Sequence, residues 1–254
     1  MGIFTNSYVK NITIGDNVKW FNNSMARAFE NCTNFNSPVQ IPDYITNLYM
    51  TFNNCRSFNQ PVRLPPILDA YGMYGTFYWC SNFNQPITIP NGVKYMTNTF
   101  SSCYNFNQPI TIPNGVIDLD SAFRTCSNFN QPITIPNSVT NMSQAFHFCN
   151  NFNQPVIIGD NVTNLHNAFR YCKNMGCNIT ILSTNVNNVK GMINYKSTYS
   201  RVNIIVPKSG TTYTTIKNTS SSRSVTSTTL QWTYDNANSC IYNTAQNVYI
   251  YNIL

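Results

Sequence analysis

The sequence predicts an α/β solenoid, in which short parallel strands alternate with short helical or 3₁₀ turns at about 23 residues per coil. A small β-rich segment caps its C-terminal end. Three observations predict it. The ten letters NFNQPITIPN occur verbatim at 82–91, 105–114 and 128–137. Phe35, Phe58, Phe83, Phe106, Phe129 and Phe152, then Met175, recur at one fixed interval, with a single longer step between Phe58 and Phe83. Seven cysteines keep step with them: Cys32, Cys55, Cys80, Cys103, Cys126, Cys149 and Cys172. An active site needs its groups once, whereas letter-for-letter repetition serves the same mechanical job at successive positions along an axis.

Each unit divides into two physical halves. In PITIP the apolar side chains alternate, as at Ile133 and Ile135 around Thr134, which is the period of a strand with one buried face. In SVTNMSQAFHFC the apolar residues are Val139, Met142, Phe146 and Cys149, spaced as on one face of a short helix or 3₁₀ turn. Pro136 lacks an amide N–H and ends the strand, and Asn137 follows it into the turn. One unit alone cannot cover both apolar faces, so each coil packs on the next. This predicts nine strand positions: 12–14, 39–41, 62–64, 87–89, 110–112, 133–135, 156–158, 179–181 and 204–206. At about 4.8 Å per strand the stack is roughly 40 Å long. Asn residues beside each Phe then lie one above another, where their amides bond along the axis or satisfy backbone groups at the bends.

The repeat ends near Pro207, giving a boundary between 1–207 and 208–254. Beyond it a Ser/Thr-rich stretch leads to short strand-like runs at 230–234, 240–242 and 248–251. Charge is scarce and about one residue in six is Asn, so polarity comes from amides and hydroxyls. Residues 1–169 hold seven Lys/Arg against seven Asp/Glu, whereas 170–254 hold eight basic groups against Asp235 alone. Lys196, Arg201, Lys208, Lys217 and Arg223 are therefore expected to dock an acidic partner. No interleaving of Arg and aromatic residues points to nucleic acid, and no apolar run reaches the roughly 18 residues of a membrane span. The N-terminus has neither a signal-peptide pattern nor a myristoylation motif, an expectation of synthesis in a cytoplasm.

Phe-Asn-Gln-Pro-Ile followed by Val-Thr-Asn-Met-Ser-x-x-Phe resembles the BspA-type leucine-rich repeats of bacterial surface proteins. The Ile-x-Ile-Pro, Ala-Phe and Cys elements resemble the related treponemal-type repeat. The likeness covers residues 10–207 and implies a curved leucine-rich-repeat-like solenoid used for adhesion or recognition. The Val-Pro step and strand-rich tail resemble the ends of repeat proteins associated with phage tails and fibres.

Chemistry has few footholds. The repeated cysteines read as buried free thiols packing as small hydrophobes, with Cys177 and Cys240 outside that set. His147 and His166 lack metal-ligand spacing and read as solvated, so neither a metal nor a cofactor is expected. The close acidic pair Asp118 and Asp120 is a poor fit to the paired carboxylates of glycoside cleavage, leaving a polysaccharide-cleaving enzyme as a low-weight alternative. Binding has two candidate surfaces. Gln40, Arg63, Thr88, Thr111, Thr134, Ile157 and Thr180 are expected on the exposed strand face. Tyr71, Tyr74, Tyr78, Trp79, Tyr104, Phe148 and Tyr171 are expected to form an aromatic patch beside the cysteines. The expected function is non-enzymatic: a phage virion component mediating attachment or subunit contacts, or alternatively a bacterial cell-surface adhesin. Its expected partners are structural proteins of the particle and a host surface protein or glycan, with homo-oligomerisation possible.

Overall fold

A computed structural model describes residues 4–8, 10, 12, 19–193, 202–207, 211, 240–243 and 248–253. Hydrogen bonds run from each unit to the equivalent place in the next. Parallel bridges join Tyr95 to Asp118, Asp118 to Asn141 and Asn141 to Asn164, so the same position of each coil sits beside its counterpart. The repeated Phe, Met/Leu and Cys residues all face inward and form one continuous core. Rings stack along it in two columns. Phe29, Phe52, Phe77, Phe100, Phe123, Phe146 and Phe169 lie 5.3–5.6 Å apart, and Phe35 to Phe152 lie 5.7–6.1 Å apart. All thirteen of these phenylalanines are fully buried, and stacking along the axis is what excludes water from them.

Regular strands are fewer than the sequence predicts. Among the described residues six strands form one open sheet in the order β1-β2-β3-β4-β6-β5: β1 (Ile133–Thr134), β2 (Val156–Ile158), β3 (Asn178–Ile181), β4 (Val202–Pro207), β5 (Cys240–Asn243) and β6 (Val248–Ile253). The first four pair in parallel, while β6 runs antiparallel to both β4 and β5. The expected positions 39–41, 62–64, 87–89 and 110–112 keep the buried–exposed–buried alternation without a strand ladder. Proline shortens these ladders without by itself abolishing them, since β1 forms between Pro132 and Pro136 where β2 offers a partner. Each of those segments is bracketed by two prolines, for example Pro86 and Pro90, and each removes a ladder donor. Coil by coil, strand length rises as the prolines drop out. It is two residues between Pro132 and Pro136, three between Pro155 and Gly159, and four between Cys177 and Leu182, where no proline remains. Positions 13–14 and 230–234 lie outside the described residues.

The expected helical half is also corrected. Apart from a 3₁₀ turn at Phe21–Asn23, the arc before each cysteine is a run of tight turns. Backbone amides there alternate between two acceptors. The Phe100 and Ser102 N–H groups donate to Ala122 and Arg124 carbonyls of the next coil, while Ser101 and Cys103 donate three residues back to Asn98 and Phe100. Two residues per arc, such as Asn98 (φ 55°) and Ser102 (φ 62°), adopt left-handed backbone. A residue in that conformation every fourth position cannot continue a right-handed helix. The apolar spacing that resembles a helix face is satisfied by these turns instead.

The side chains complete the bonds between coils. Asn107 Oδ1 accepts the Asn130 backbone N–H at 2.9 Å and Gln131 Nε2 at 3.2 Å. Asn36, Asn59, Asn84 and Asn130 do the same for their next coils. The column ends at Asn153, which accepts only the Gly176 N–H because Cys177 replaces the glutamine. This explains why Phe-Asn-Gln is spelled alike in coil after coil. The Phe is a core ring, the Asn an acceptor, and the Gln a second donor to the Asn beneath. The cysteines do more than fill space. Each thiol from Cys55 to Cys172 donates to the carbonyl of the core Phe one coil back at 2.9–3.0 Å, for instance Cys126 Sγ to the Phe100 carbonyl. All seven are free and buried. Burial pushes the thiols from Cys55 to Cys172 far above the ordinary value, as at Cys103 and Cys149, which keeps them protonated as donors.

Candidate recognition surface

With Phe, Met/Leu and Cys fixed inside, variation between coils is widest on the turn arc, at positions where Glu30, Ser101, Ser102 and His147 are buried and the other side chains half-buried. Two such positions directly precede the cysteine. The nearer one is held by Asn31, Asn54, Trp79, Ser102, Thr125, Phe148 and Tyr171, and the next by Glu30, Asn53, Tyr78, Ser101, Arg124, His147 and Arg170. Every residue in the first set has left-handed backbone. Asn tolerates it, whereas for a bulky side chain it costs about 1 kcal/mol. Trp79 (φ 61°), Phe148 (φ 62°) and Tyr171 (φ 63°) carry that cost. Bulky rings held in such a conformation are candidates for a functional role.

The expected aromatic patch divides into separate groups. Tyr71 is exposed and stacks on Tyr95 at 4.3 Å. Tyr74 stacks on Tyr49 at 5.1 Å, and the Arg27 guanidinium lies 5.4 Å from the Tyr49 ring while its Nη1 pairs with Glu30 at 2.9 Å. Trp79 meets Tyr78 and Tyr104 edge-on at 6.3 and 6.1 Å, with Arg56 over its ring at 5.5 Å. Phe148 and Tyr171 stack at 4.4 Å one coil apart, with Arg170 over Tyr171 at 4.8 Å. Three of these four ring groups thus recruit a neighbouring cation. Tyr49, Tyr95 and the arginines escape a reading of single motifs. Aligning each position down successive coils would reveal them.

His147 is the clearest departure from expectation. It is 7 % exposed rather than solvated, packed against Phe148 at 4.5 Å and Tyr171 at 5.6 Å. Burial, then the charges of Arg124, Arg170 and His166, lower its pKa to about 4, so it is neutral at pH 7. His166 is half-buried, its ring nitrogen 2.9 Å from Asn167 Nδ2.

On the strand face, Gln40, Arg63, Thr88, Thr111, Thr134 and Ile157 are exposed and Thr180 is half-buried. Backbone register aligns Thr134 with Ile157 and Ile157 with Thr180. Arg63 is engaged by Asp43 in a two-pronged ion pair, which lowers the Asp43 pKa. Asp118 and Asp120 are both occupied structurally. Asp118 accepts the Asp120 N–H and an Asn141 amide hydrogen, and Asp120 accepts the Ser121 hydroxyl. Lys196, Arg201, Lys208, Lys217 and Arg223 lie outside the described residues, as does the side chain of Cys240. Among the described residues no helix is long and apolar enough to cross a membrane.

These features define a class: a repeat protein whose coils stack through parallel backbone pairing and side-chain ladders. The chain belongs to the family described as "Mycoplasma protein of unknown function, DUF285", whose model matches residues 23–114 and again 96–205. That membership agrees, in the broad sense, with a BspA-like repeat protein. No curated protein and no solved structure matches the chain.

Proposed function

We propose that this chain is a non-enzymatic recognition protein displayed on a surface. In this reading it is a leucine-rich-repeat-like solenoid whose C-terminal strands cap one end, and the outer side of its turn arc meets the partner. The observation that carries it is the contrast between coils. Core positions are nearly invariant, while the two positions before each cysteine range over Asn, Ser, Thr, Tyr, Trp, Phe, Arg, His and Glu. A purely mechanical rod gains nothing from such diversity, whereas a binding face uses rings and cations of this kind. Partners in this reading are a host surface protein or glycan and neighbouring structural proteins, and the basic C-terminal residues anchor the chain.

The family's mycoplasmal description favours display on a cell, and the phage-virion setting is the second reading. Antibodies to residues 19–193 should label intact producing cells in the first case and purified particles in the second. Labelling of neither, with the protein found only in the soluble lysate, would refute surface display. Recombinant protein should also bind host cells, and less so with Trp79→Ala or Tyr74→Ala. Unchanged binding by both would remove the aromatic groups from the site.

A further inference from the structure

Ile-Pro-Asn-Gly-Val stands at 89–93 and again at 112–116, and Ile-Pro-Asn-Ser-Val takes the same place at 135–139. Three successive coils thus hold one asparagine, Asn91, Asn114 and Asn137, in three settings. Asn91, Gly92, Asn114 and Gly115 are all exposed. Asparagine before glycine carries a reaction of its own. The glycine amide nitrogen can attack the asparagine side-chain carbonyl carbon and close a succinimide ring, because glycine has no side chain to shield that nitrogen.

The settings differ in what holds the attacking nitrogen. In the middle coil the Gly115 N–H donates to Ser138 Oγ at 3.0 Å, and the Val116 N–H closes the turn on the Pro113 carbonyl at 3.3 Å. Ser138 is itself anchored, its hydroxyl donating to the Val116 carbonyl at 2.7 Å. One coil earlier both bonds are lacking. The residue facing Gly92 in the next coil is Gly115, which has no hydroxyl, and among the described residues the Gly92 and Val93 N–H groups have no acceptor. The enlarged coil supplies only a long bond there, from the Leu68 N–H to the Asn91 carbonyl at 3.4 Å, which ties neither reacting atom. The Leu68 carbonyl fills the place of a Gly92 Cβ, and Gly92 has φ 90°, so glycine is required. Among the described residues the Asn91 and Asn114 side-chain amides have no partner. Asn137 is tied on both sides: Oδ1 accepts the Asp160 N–H at 3.4 Å and Nδ2 donates to Asp160 Oδ2 at 3.3 Å.

The structure assigns Asn91 as a self-modification site, deamidating spontaneously with water as the only co-reactant. Gly92 N gives its proton to solvent base and bonds to Asn91 Cγ, the Cγ–Nδ2 bond breaks, and Nδ2 leaves as ammonia. Water then opens the ring at Cγ, giving Asp, or at the main-chain carbonyl, giving isoaspartate with its backbone routed through Cγ. Nothing is oxidised or reduced. Either product places a carboxylate beside exposed Ile67, which pairs with Asn91 across the coil boundary. Asn114 reacts more slowly because its neighbour's proton is held by Ser138, and Asn137 is slowest because its amide is tied and no glycine follows.

Identical local sequence makes the protein its own control. Full-length protein is kept in mildly alkaline buffer, either native or in concentrated urea. Cleavage after Lys and Arg leaves Asn91, Asn114 and Asn137 on separate peptides, and mass spectrometry follows the conversion of each amide to acid. In urea Asn91 and Asn114 should react at equal rates. In the native protein Asn91 should react at least about threefold faster than Asn114, the effect of roughly one hydrogen bond. Ser138→Ala should raise the native Asn114 rate at least about twofold and leave Asn91 unchanged. The unfolding midpoint checks the variant's fold, and if it is unfolded the wild-type comparison decides. Equal native rates at the two sites, or faster reaction at Asn114, would overturn the assignment. So would a native Asn91 that stays intact while the urea-unfolded chain is converted, or a folded Ser138→Ala variant whose Asn114 rate does not move.

Discussion

Replacing Asn107 by Ala removes the side-chain amide, including its acceptor oxygen, and nothing from the core. That oxygen accepts two donors from the next coil, the Asn130 N–H and the Gln131 amide. At about 1 kcal/mol net per hydrogen bond the loss is about 2 kcal/mol, falling toward about 1 where water reaches the half-buried Asn130. For a chain of this size, that corresponds to a drop of about 2–8 °C in melting temperature. Asn107→Asp retains an acceptor at the same place and strengthens it with charge, so its cost should stay below about 1 kcal/mol. Thermal unfolding followed by circular dichroism at pH 7 separates the two. If Asp is as damaging as Ala, or if Ala leaves the midpoint unmoved, the acceptor column does not hold the coils together.

Acid should expose His147. Its folded pKa of about 4 lies below the ordinary 6.5, so its contribution is complete above about pH 6.5 and is lost as pH falls toward 4. That loss is at most about 3 kcal/mol, less any screening by solvent. His147→Gln should flatten the melting temperature between pH 7 and 4.5, and an unaltered slope would contradict the assignment. Thr125 is β-branched yet left-handed (φ 62°), where Asn31 and Asn54 stand in other coils. Thr125→Asn should therefore stabilise by about 0.5–1 kcal/mol in denaturant titration, and destabilisation would show that the strain is compensated. In a Cys177→Ser/Cys240→Ser variant a thiol reagent should label no cysteine until denaturant is added. Rapid labelling of the native protein would mean that the thiol column is open.

How much was legible in the sequence follows from what repeats. A fixed period carried by Phe, Cys and Met/Leu determined that the units stack and which side chains form the core, because one unit cannot cover its own apolar surface. Alternation in Ile-Thr-Ile, carried by the repeat onto Val-Ile-Ile, likewise determined which strand residues face out, as at Ile157. The conformation of the arc was decided only in three dimensions. A helix face and a run of tight turns place apolar residues at the same spacing, and the difference lies in backbone torsions that Asn, Ser, Gln and even Trp adopt here. Prolines at both ends of Pro-Ile-Thr-Ile-Pro were visible, yet their effect depends on which N–H would have faced a neighbour. The site was the least legible. Phe148 and Tyr171 stand a full coil apart in sequence and share no motif, and only the stacking of coils brings their rings to 4.4 Å. Local rules act over a few residues, so a surface assembled from one residue per coil belongs to the tertiary structure.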